Sequence, residues 1–405
     1  MLWALLLGCS AAAAAPLQET TRIPNDPYFR EQVSLYAKGG RGSWLRNSPR
    51  TARDTATIAP GLTLDAPRAW ALTTGSRDVV VAVLDDGFFY RHEDIADNVW
   101  HNPGETGTDA NGLARETNGV DDDANGFVDD VVGWDFAFND PDPDHYVFDG
   151  MDRSRVQPYW HSISALGIIG ARGDNGVGVA GINWVVSLML LKIGAQGTRR
   201  GEVDTARVGR AAQAIRYAVD NGARVINWSG YVDLRDPARL TPLREAVAYA
   251  AVRGVLLVTG AGNDGKDLDQ DQNCSFPQCF DFPNQIRVAE ASWDGGLYRY
   301  TVGGQTRGSN YGARRVEIAA IGVNFTTGLR NGAEIYAVGG GTSDAAPVVA
   351  GVAALMLSVR PTLTAAELKA ALIASATPLE QLKGKVAAGG AVNAYHAVRL
   401  AMTQR

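Results

Sequence analysis

The stretch GGGTSDAAPVVAG, residues 339–351, decides how the rest of this sequence is interpreted. Its glycines permit a close backbone approach, and Ser343 then opens an apolar run that predicts a helix over residues 343–358. Pro347 is compatible with the first turn of that helix. A serine at the positive end of a helix dipole suits a nucleophile that becomes an oxyanion, although a serine at this position is commonly only a cap. Ser343 is therefore a candidate nucleophile.

Apolar strands and helical patterns alternate along the chain around this stretch. Buried strands are predicted at residues 79–84, 186–193, 224–228 and 254–259. Helices are predicted at residues 162–171, 205–221, 241–253, 343–358 and 364–376, the last one starting with a capping box at Thr364 and Glu367. The alternation predicts an α/β protein with a three-layer, doubly wound, mostly parallel sheet. We find no internal repeat and no linker long enough to separate domains.

Three polar residues lie at the ends of these predicted elements. Asp85 directly follows the strand 79–84, His161 begins a helix of small residues, and Asn263 follows the strand 254–259. In a doubly wound sheet, functional side chains gather beyond the carboxyl ends of the strands. Each position is also common without any function, since Asn-Asp-Gly, for example, is an ordinary turn. With Ser343 they supply a carboxylate that orients an imidazole, the imidazole itself, and an amide for an oxyanion.

The composition is that of a globular protein with an acidic surface. Of the 405 residues, 45% are hydrophobic and 20% are charged, and the net charge is −6. The sequence shows no basic run, which argues against nucleic acid as a partner. Residues 102–150 are rich in Asp, Asn, Gly and Pro and lack periodicity. They predict a surface insertion that either holds a metal ion or is simply solvated.

The cysteines and the amino terminus bear on the compartment. Cys274 and Cys279 bracket a short loop and either form a disulfide, which an exported protein favours, or remain free thiols. Residues 2–8 are apolar and 11–15 are all alanine, which resembles an export signal although no Lys or Arg precedes the run. Cys9 ends a lipobox-like LLGC, so it either carries a lipid or is removed with an ordinary signal. We expect an exported protein: extracellular, periplasmic or lipid-anchored to the envelope.

Short motifs distributed over the chain together resemble the subtilisin-like serine proteases, the subtilases. The matching stretches are PNDPYF (24–29), APRAWALTTG (66–75), VAVLDDG (81–87), HEDI (92–95), GVAGINW (178–184), VINWSG (225–230), VTGAGNDG (258–265), SNYG (309–312) and GTSDAAPVVAG (341–351). The order of Asp85, His161, Asn263 and Ser343 along the chain is also that of a subtilisin. After a signal peptide or lipoprotein signal at residues 1–15 and a polar amino-terminal arm at 16–60, the resemblance implies a subtilisin-like catalytic domain at 61–405 that includes the insertion 102–150.

The resemblance also implies an activity and its residues. The expected function is a secreted serine endopeptidase that hydrolyses peptide bonds of proteins or peptides, as a monomer, through an acyl-enzyme. Asp85, His161 and Ser343 would form the triad, and Asn263 with the Ser343 backbone N–H would bind the oxyanion. Substrate would lie extended along the strand that ends at Ser229 and Gly230.

Structural calcium is a further implication of the resemblance. One site would join the arm to the loop after the His161 helix through oxygens of the residues Asp26, Asp94, Arg172, Asn175, Val177 and Val179, the Arg and Val residues contributing backbone carbonyls. A second site would use Asp135, Asp140, Asp142 and Asp144. A third candidate, DDDANGFVDD (121–130), resembles the start of an EF-hand loop and would use Asp121, Asp123, Asn125 and Asp129, although Val132 occupies the acidic twelfth position.

Several departures from the family pattern keep a second function open. The segment after His161 reads SISAL instead of the usual Gly-Thr-His-Val-Ala, Asp344 replaces the Met after the nucleophile, and Gly230-Tyr231 alters one wall of the specificity pocket. No inhibitory propeptide separates the signal from the arm-like motif. The alternative is an exported pseudoprotease that has the subtilase fold and binds peptides with little or no cleavage. An α/β-hydrolase that uses Ser343 with His396 is excluded, since the sequence has no GxSxG elbow.

Overall fold

The computed structural model describes residues 20–36, 58–144, 161–194, 202–330 and 333–403. The predicted signal 1–15, Cys9 and most of the arm 16–60 lie outside these residues, as does the end of the insertion after residue 144. The described part forms an α/β structure with one large sheet, as the alternating pattern predicted.

The described residues contain a nine-stranded sheet with the order β12-β13-β9-β6-β5-β4-β1-β3-β2. Its strands are β1 (Gly75–Asp85), β2 (Gly133–Asp135), β3 (Val185–Lys192), β4 (Val225–Trp228), β5 (Leu256–Gly260), β6 (Gln285–Ala291), β9 (Ile318–Ile321), β12 (Thr377–Pro378) and β13 (Gly390–Ala391). All neighbouring pairs are parallel except β12 with β13. Two separate hairpins, β7 (Arg299–Val302) with β8 (Gln305–Gly308) and β10 (Phe325–Arg330) with β11 (Ala333–Val338), complete the strands.

Helices cover both faces of the sheet. They are α1 (Ala66–Trp70), α2 (His161–Gly170), α3 (Glu202–Asp220), α4 (Pro237–Val252), α5 (Thr342–Val359), α6 (Ala365–Ala374) and α7 (Ala394–Thr403). Side chains of a strand alternate between the two faces, so Val81 and Val83 pack in the core with α2 and α5, whereas Ala82 and Leu84 pack in the core with α3 and α4. This is the predicted three-layer arrangement.

The most apolar helix, α5, runs through one of these cores. By length and composition α5 could cross a membrane, but 83% of its 18 residues are buried inside the protein. It packs against α2, α7 and several central strands. Its hydrophobicity is therefore explained by its position in the core.

The chain direction across the sheet reverses at β1. Strands β2 and β3 lie on one side of β1, and β4, β5 and β6 follow one another on the other side. In a parallel sheet this reversal opens a crevice beyond the carboxyl ends of the strands. The ends of β1, β4 and β5, with the first turns of α2 and α5, meet at that crevice.

Candidate active site

Asp85 and His161 form a hydrogen-bonded pair at the carboxyl end of β1. Asp85 is the last residue of β1 and is buried, and His161 is the first residue of α2. The distance from His161 Nδ1 to Asp85 Oδ2 is 2.7 Å. The other carboxylate oxygen, Oδ1, accepts the backbone N–H of Asp86 at 2.8 Å. Both oxygens of the carboxylate are thus engaged, which fixes the orientation of the imidazole and leaves Nε2 as the nitrogen able to accept a proton.

The charge around His161 favours the protonated imidazole. Partial burial alone lowers the pKa of His161, but the Asp85 carboxylate more than compensates through its charge and its hydrogen bond. Asp344 and Asp86 add to this effect, and the pKa of His161 is raised to about 9. A base with this pKa is mostly neutral only at alkaline pH.

Ser343 lies in the first turn of α5 and is partly exposed. Its Oγ donates to the backbone carbonyl of Ser229, at 3.3 Å, and its own backbone carbonyl accepts from Ser229 Oγ at 2.7 Å. Asn227 Nδ2 in turn lies 3.2 Å from Ser229 Oγ. The end of β4 therefore fixes the backbone of the candidate nucleophile at the positive end of the α5 dipole.

The side-chain amide of Asn263 is oriented by the first residue of α5, Thr342. Its Oδ1 accepts the backbone N–H of Thr342 at 2.9 Å, and Thr342 Oγ1 accepts the N–H of Gly262 at 3.0 Å. Because the oxygen is engaged with Thr342, the NH₂ group is free to point away from it. Asn263 is exposed, so this donor is accessible to a substrate.

A polar pocket lies beside Asn263. It is lined by Tyr231, Asp233, Arg235, Gly262, Asp264, Lys266, Asn273, Cys274, Ser275 and Asn310. Arg235 lies 3.5 Å from Asp233, and Lys266 lies 3.9 Å from Asp264. The charges of the pocket wall therefore balance in pairs, so the pocket is polar without a net charge.

The loop between Cys274 and Cys279 forms one wall of this pocket. The two cysteines form a disulfide, so that alternative of the sequence analysis is confirmed. Phe276 and Val232 exchange backbone hydrogen bonds of 2.8 and 3.0 Å. Gln278 Nε2 donates to the carbonyls of Gly230 and Gly260, at 3.0 Å each. The loop thereby connects the segments that follow β4 and end β5.

A profile of the subtilase family (peptidase S8) matches residues 76–393. The chain belongs to the subtilase family. The resemblance inferred from the short motifs is thus confirmed.

Curated relatives match over most of this chain. Subtilisin-like protease 1 of Plasmodium berghei (strain Anka) is 28% identical over 356 residues, which cover 84% of this chain and 53% of that protein. Halolysin of Haloferax mediterranei is 30% identical over 334 residues, which cover 81% of this chain and 52% of that protein. The thermophilic serine proteinase of Bacillus sp. (strain AK1) is 29% identical over 293 residues, with coverages of 72% and 55%. The subtilase chain described here spans about half the length of the curated relatives it matches.

Solved structures share the fold. A protease structure from Pseudoalteromonas arctica PAMC 21717 aligns with a TM-score of 0.64 and 24% identity, over 93% of this chain and 99% of that chain. A lanthipeptide protease aligns with a TM-score of 0.59 and 22% identity, over 85% of this chain and 93% of that chain. The predicted subtilisin-like α/β fold is therefore confirmed.

The altered segment after His161 is accommodated in the core of this subtilase. Ser162 donates to the backbone carbonyl of Gly87. Ile163 is fully buried in the core shared by α2 and α5, so its bulk does not occupy the cleft. Its backbone carbonyl accepts from Thr327 Oγ1 at 2.8 Å, which joins α2 to the β10–β11 hairpin. His161 itself stays partly exposed, with 30% of its side chain accessible.

The sequence analysis missed two buried polar residues that support the site, Glu290 and Gln278. The side chain of Glu290 reaches the glycine run that precedes α5, where its Oε1 accepts the backbone N–H of Gly341 at 3.1 Å. It is 1% exposed and is the second-to-last residue of β6. A carboxylate between the alanines of a buried strand is a signal that sequence reasoning could have used, because such a charge is rarely buried without a partner.

The first predicted calcium site has the oxygen ligands that a cation needs. Asp94 Oδ1 faces Asn175 Nδ2 at 3.2 Å, and Asp26 Oδ2 accepts the N–H of Asp174 at 2.7 Å. Asp26 Oδ1 is buried without a hydrogen-bond partner. Burial raises the pKa of Asp94 to about 7. The hydrogen bonds that Asp94 accepts from Val179 and Asn175 lower this pKa, whereas the negative charges of Asp26 and Glu93 raise it further. Arg172, Val177 and Val179 lie in the adjoining loop, so these oxygens fit a hard cation.

The second predicted set is already engaged with positive side chains. Asp135 pairs with Lys192 at 2.6 Å, with both side chains fully buried. Asp144 pairs with Arg91, which also lies 3.8 Å from Asp142. Asp140 Oδ1 accepts the N–H of Asp142 at 2.9 Å. Three of these four carboxylates are compensated by protein cations, so we do not extend the calcium proposal to this set.

The third predicted loop contains an acidic cluster with different members from those expected. Asp121 and Asp129 accept backbone N–H groups of the same loop. One oxygen each of Glu105, Asp123 and Asp130 lies within 4.8 Å of the others. Glu105 is fully buried, and its Oε2 has no hydrogen-bond partner. The orphaned oxygen and the hard donors fit calcium, with Asn125 beside them through its bonds to Asp123 and Asp130.

Proposed function

We propose that this subtilase is an exported serine endopeptidase that hydrolyses peptide bonds with Asp85, His161 and Ser343. The observation that carries the proposal is the 2.7 Å contact between His161 Nδ1 and buried Asp85, at the sheet edge where the first turn of α5 holds Ser343. Relatives named as proteases support the activity. An extracellular serine protease of Natrialba magadii among the relatives supports export.

The proposed reaction runs through an acyl-enzyme. Ser343 Oγ attacks the carbonyl carbon of the scissile peptide bond while His161 Nε2 takes the hydroxyl proton. The imidazolium is stabilised by Asp85 and then gives its proton to the leaving amine as the C–N bond breaks. Water, deprotonated by His161, attacks the resulting ester and releases the new carboxyl group together with free Ser343. The Asn263 amide and the Ser343 backbone N–H bind the oxyanion in both steps.

Substrate is proposed to lie along the segment after β4. Ser229 and Gly230 follow the end of that strand, and an extended peptide there would pair with their backbone. The polar pocket beside Asn263 would take the side chain next to the scissile bond. Because its charges are paired within the wall, we expect polar uncharged side chains to be preferred.

Labelling with a fluorophosphonate tests the proposal against its alternative. The alternative, a peptide-binding pseudoprotease, is favoured by the contact of Ser343 Oγ with the Ser229 carbonyl, which occupies the hydroxyl proton. We expect the folded, calcium-loaded wild type to be labelled at Ser343 and the Ser343→Ala variant to stay unlabelled. Absence of labelling in the wild type would favour the binding protein.

Asn263 provides a sharper test of the oxyanion role. Replacing it with alanine is expected to lower kcat by about 10²- to 10³-fold with little change in KM, because the lost donor acts on the transition state. Asn263→Asp should cost more, since Thr342 N–H would hold one oxygen and the second would face the oxyanion. Steady-state kinetics on one peptide measure both. Equal, small losses in the two variants would contradict the assignment.

Structural calcium is proposed at two places, the Asp26–Asp94–Asn175 site and the Glu105–Asp123–Asp130 cluster. Calcium would there neutralise carboxylates that are buried except for Asp123, and it would stabilise the folded state without taking part in the reaction.

The cluster site can be tested apart from the other one. We expect Glu105→Gln to lose one calcium-binding event in calorimetric titration and part of the calcium-dependent rise in Tm. Binding of one calcium ion at a hundredfold excess over its Kd raises the free energy of unfolding by about 2.7 kcal/mol, and the variant should lose this contribution. Glu116→Gln is the matched control, because Glu116 is an acid of the same insertion that lies outside the cluster. If Glu105→Gln keeps the stoichiometry and the Tm shift of the control, the cluster does not bind calcium.

A further inference from the structure

The residue that follows the nucleophile is a buried carboxylate. Asp344 is 3% exposed, and its Oδ1 accepts a hydrogen bond from Ser164 Oγ at 2.9 Å. Ser164 is equally buried. A carboxylate is costly to bury, so its position beside Ser343 requires an explanation beyond packing.

The Ser164–Asp344 bond joins the two helices that carry the reacting groups. Ser164 lies three residues after His161, which places it one turn further along α2. Asp344 is adjacent to Ser343 in the first turn of α5. The bond therefore connects the helix of the base to the helix of the nucleophile, next to both residues.

The surrounding backbone leaves room for this pair and for little else. A Cβ atom added at Gly339 would lie 1.8 Å from Asp344 Oδ2 and 2.8 Å from Ser164 Oγ. The glycine run before the nucleophile thus allows the chain to pass directly over the pair. This contact explains why a residue without a side chain is required at position 339.

We propose that Asp344 and Ser164 are positioning residues that set the spacing of His161 and Ser343 and stabilise the imidazolium electrostatically. The inference rests on the proposed peptidase function. A neutral residue at position 344 could make the same hydrogen bond, so the additional role of the carboxylate is its charge. Acting from α5, it adds its negative charge to that of Asp85 at the end of β1.

The charged groups that face His161 come from two elements. Asp85 and Asp86 lie at the end of β1, and Asp86 is paired with Arg207 of α3 at 2.7 Å. Asp344 approaches from α5 and contributes to the raised pKa of His161. Removing a negative charge destabilises the protonated ring, so loss of Asp344 must lower that pKa.

The test measures the imidazole directly and does not depend on turnover. In ¹³C-histidine-labelled Ser343→Ala protein, with the His161 signal assigned by His161→Gln, Asp344→Asn is expected to lower the pKa of His161 by about one pH unit. Asn keeps the size and the bond to Ser164. The control Glu245→Gln removes an exposed charge from α4 and should leave that pKa unchanged.

Kinetics then separate spacing from charge. With Ser343 intact, Asp344→Asn should move the acidic limb of kcat/KM to lower pH by the same amount as in the titration. Ser164→Ala should lower kcat about ten- to a hundredfold at unchanged KM, and Ser164→Thr, which retains a hydroxyl, should restore most of it.

A failure of the positioning role can be told apart from a failure of the proposed peptidase function. An unchanged pKa of His161 in Asp344→Asn together with an unchanged kcat in Ser164→Ala would overturn the positioning role. A wild type that neither cleaves nor labels would refute the peptidase, while the titration would still report the interaction. Near-UV circular dichroism establishes that each variant is folded, and Ser164→Ala gives an independent result if Asp344→Asn does not fold.

Discussion

Replacing Ser343 with alanine is expected to lower kcat about a million-fold while the protein stays folded. The hydroxyl is the atom that forms the acyl-enzyme, and no neighbouring group substitutes for it once it is removed. Binding and the oxyanion donors remain, so a residual rate of about 10³ over the uncatalysed reaction is the most that should survive. Cleavage of a mixed peptide library by wild type and variant measures the difference, and a chelator should weaken the wild-type activity.

A second serine of the same helix serves as the control. Ser358 lies near the carboxyl end of α5, where its Oγ donates to the Leu355 carbonyl at 2.8 Å and contacts Thr73 Oγ1 at 2.8 Å. Ser358→Ala removes the same atom at a distance from the crevice and should retain wild-type turnover. Equal cleavage by wild type and Ser343→Ala would show that Ser343 is not the nucleophile.

The fold was predictable because its signals are local. The apolar run around β1, the small-residue helix α2 and the glycine run before α5 each carry a pattern that favours one type of element. Each polar residue at an element boundary then follows from the topology, since parallel strands end at the same edge. Bounds differed by a few residues: β1 extends from Gly75 to Asp85, so the carboxylate ends the strand instead of following it.

The calcium ligands were less predictable than the loop that contains them. Aspartates in turns use their carboxylates to accept nearby backbone N–H groups, as Asp121 does with Asn125 and Gly126. The composition of the loop does not distinguish aspartates that accept backbone N–H groups from aspartates whose oxygens remain available to bind a cation. Glu105 lies well before the motif in sequence and joins Asp123 only after the insertion folds.

Long-range pairs were the least accessible to sequence reasoning. In the sequence, Asp344 stands out only as the residue that replaces the Met after the nucleophile, which says nothing about where its carboxylate lies. Its partner Ser164 is 180 residues away, and the bond exists only because α2 and α5 pack together. A pattern within one helix carries no information about such a contact.

Asp85→Asn is expected to lower kcat about 10⁴-fold at neutral pH, and the reason lies in the two contacts of the carboxylate. Oδ1 accepts the Asp86 N–H at 2.8 Å, which an asparagine can satisfy only with its carbonyl oxygen. Its NH₂ group would then face His161 Nδ1, now at 2.7 Å from Oδ2. Nδ1 would have to accept, so the ring proton would move to Nε2 and block the abstraction of the Ser343 proton.

Asp86→Asn is the matched control for this variant. It removes an adjacent carboxylate that pairs with Arg207, whereas the bond to His161 Nδ1 is made by Asp85. Its loss should lower kcat less than tenfold, with a small shift of the acidic limb to lower pH because one negative charge near His161 is gone. Similar losses in the two variants would mean that charge alone, and not the tautomer imposed by Asp85, governs the rate. A loss confined to Asp85→Asn would instead assign the effect to the orientation of the proton on His161.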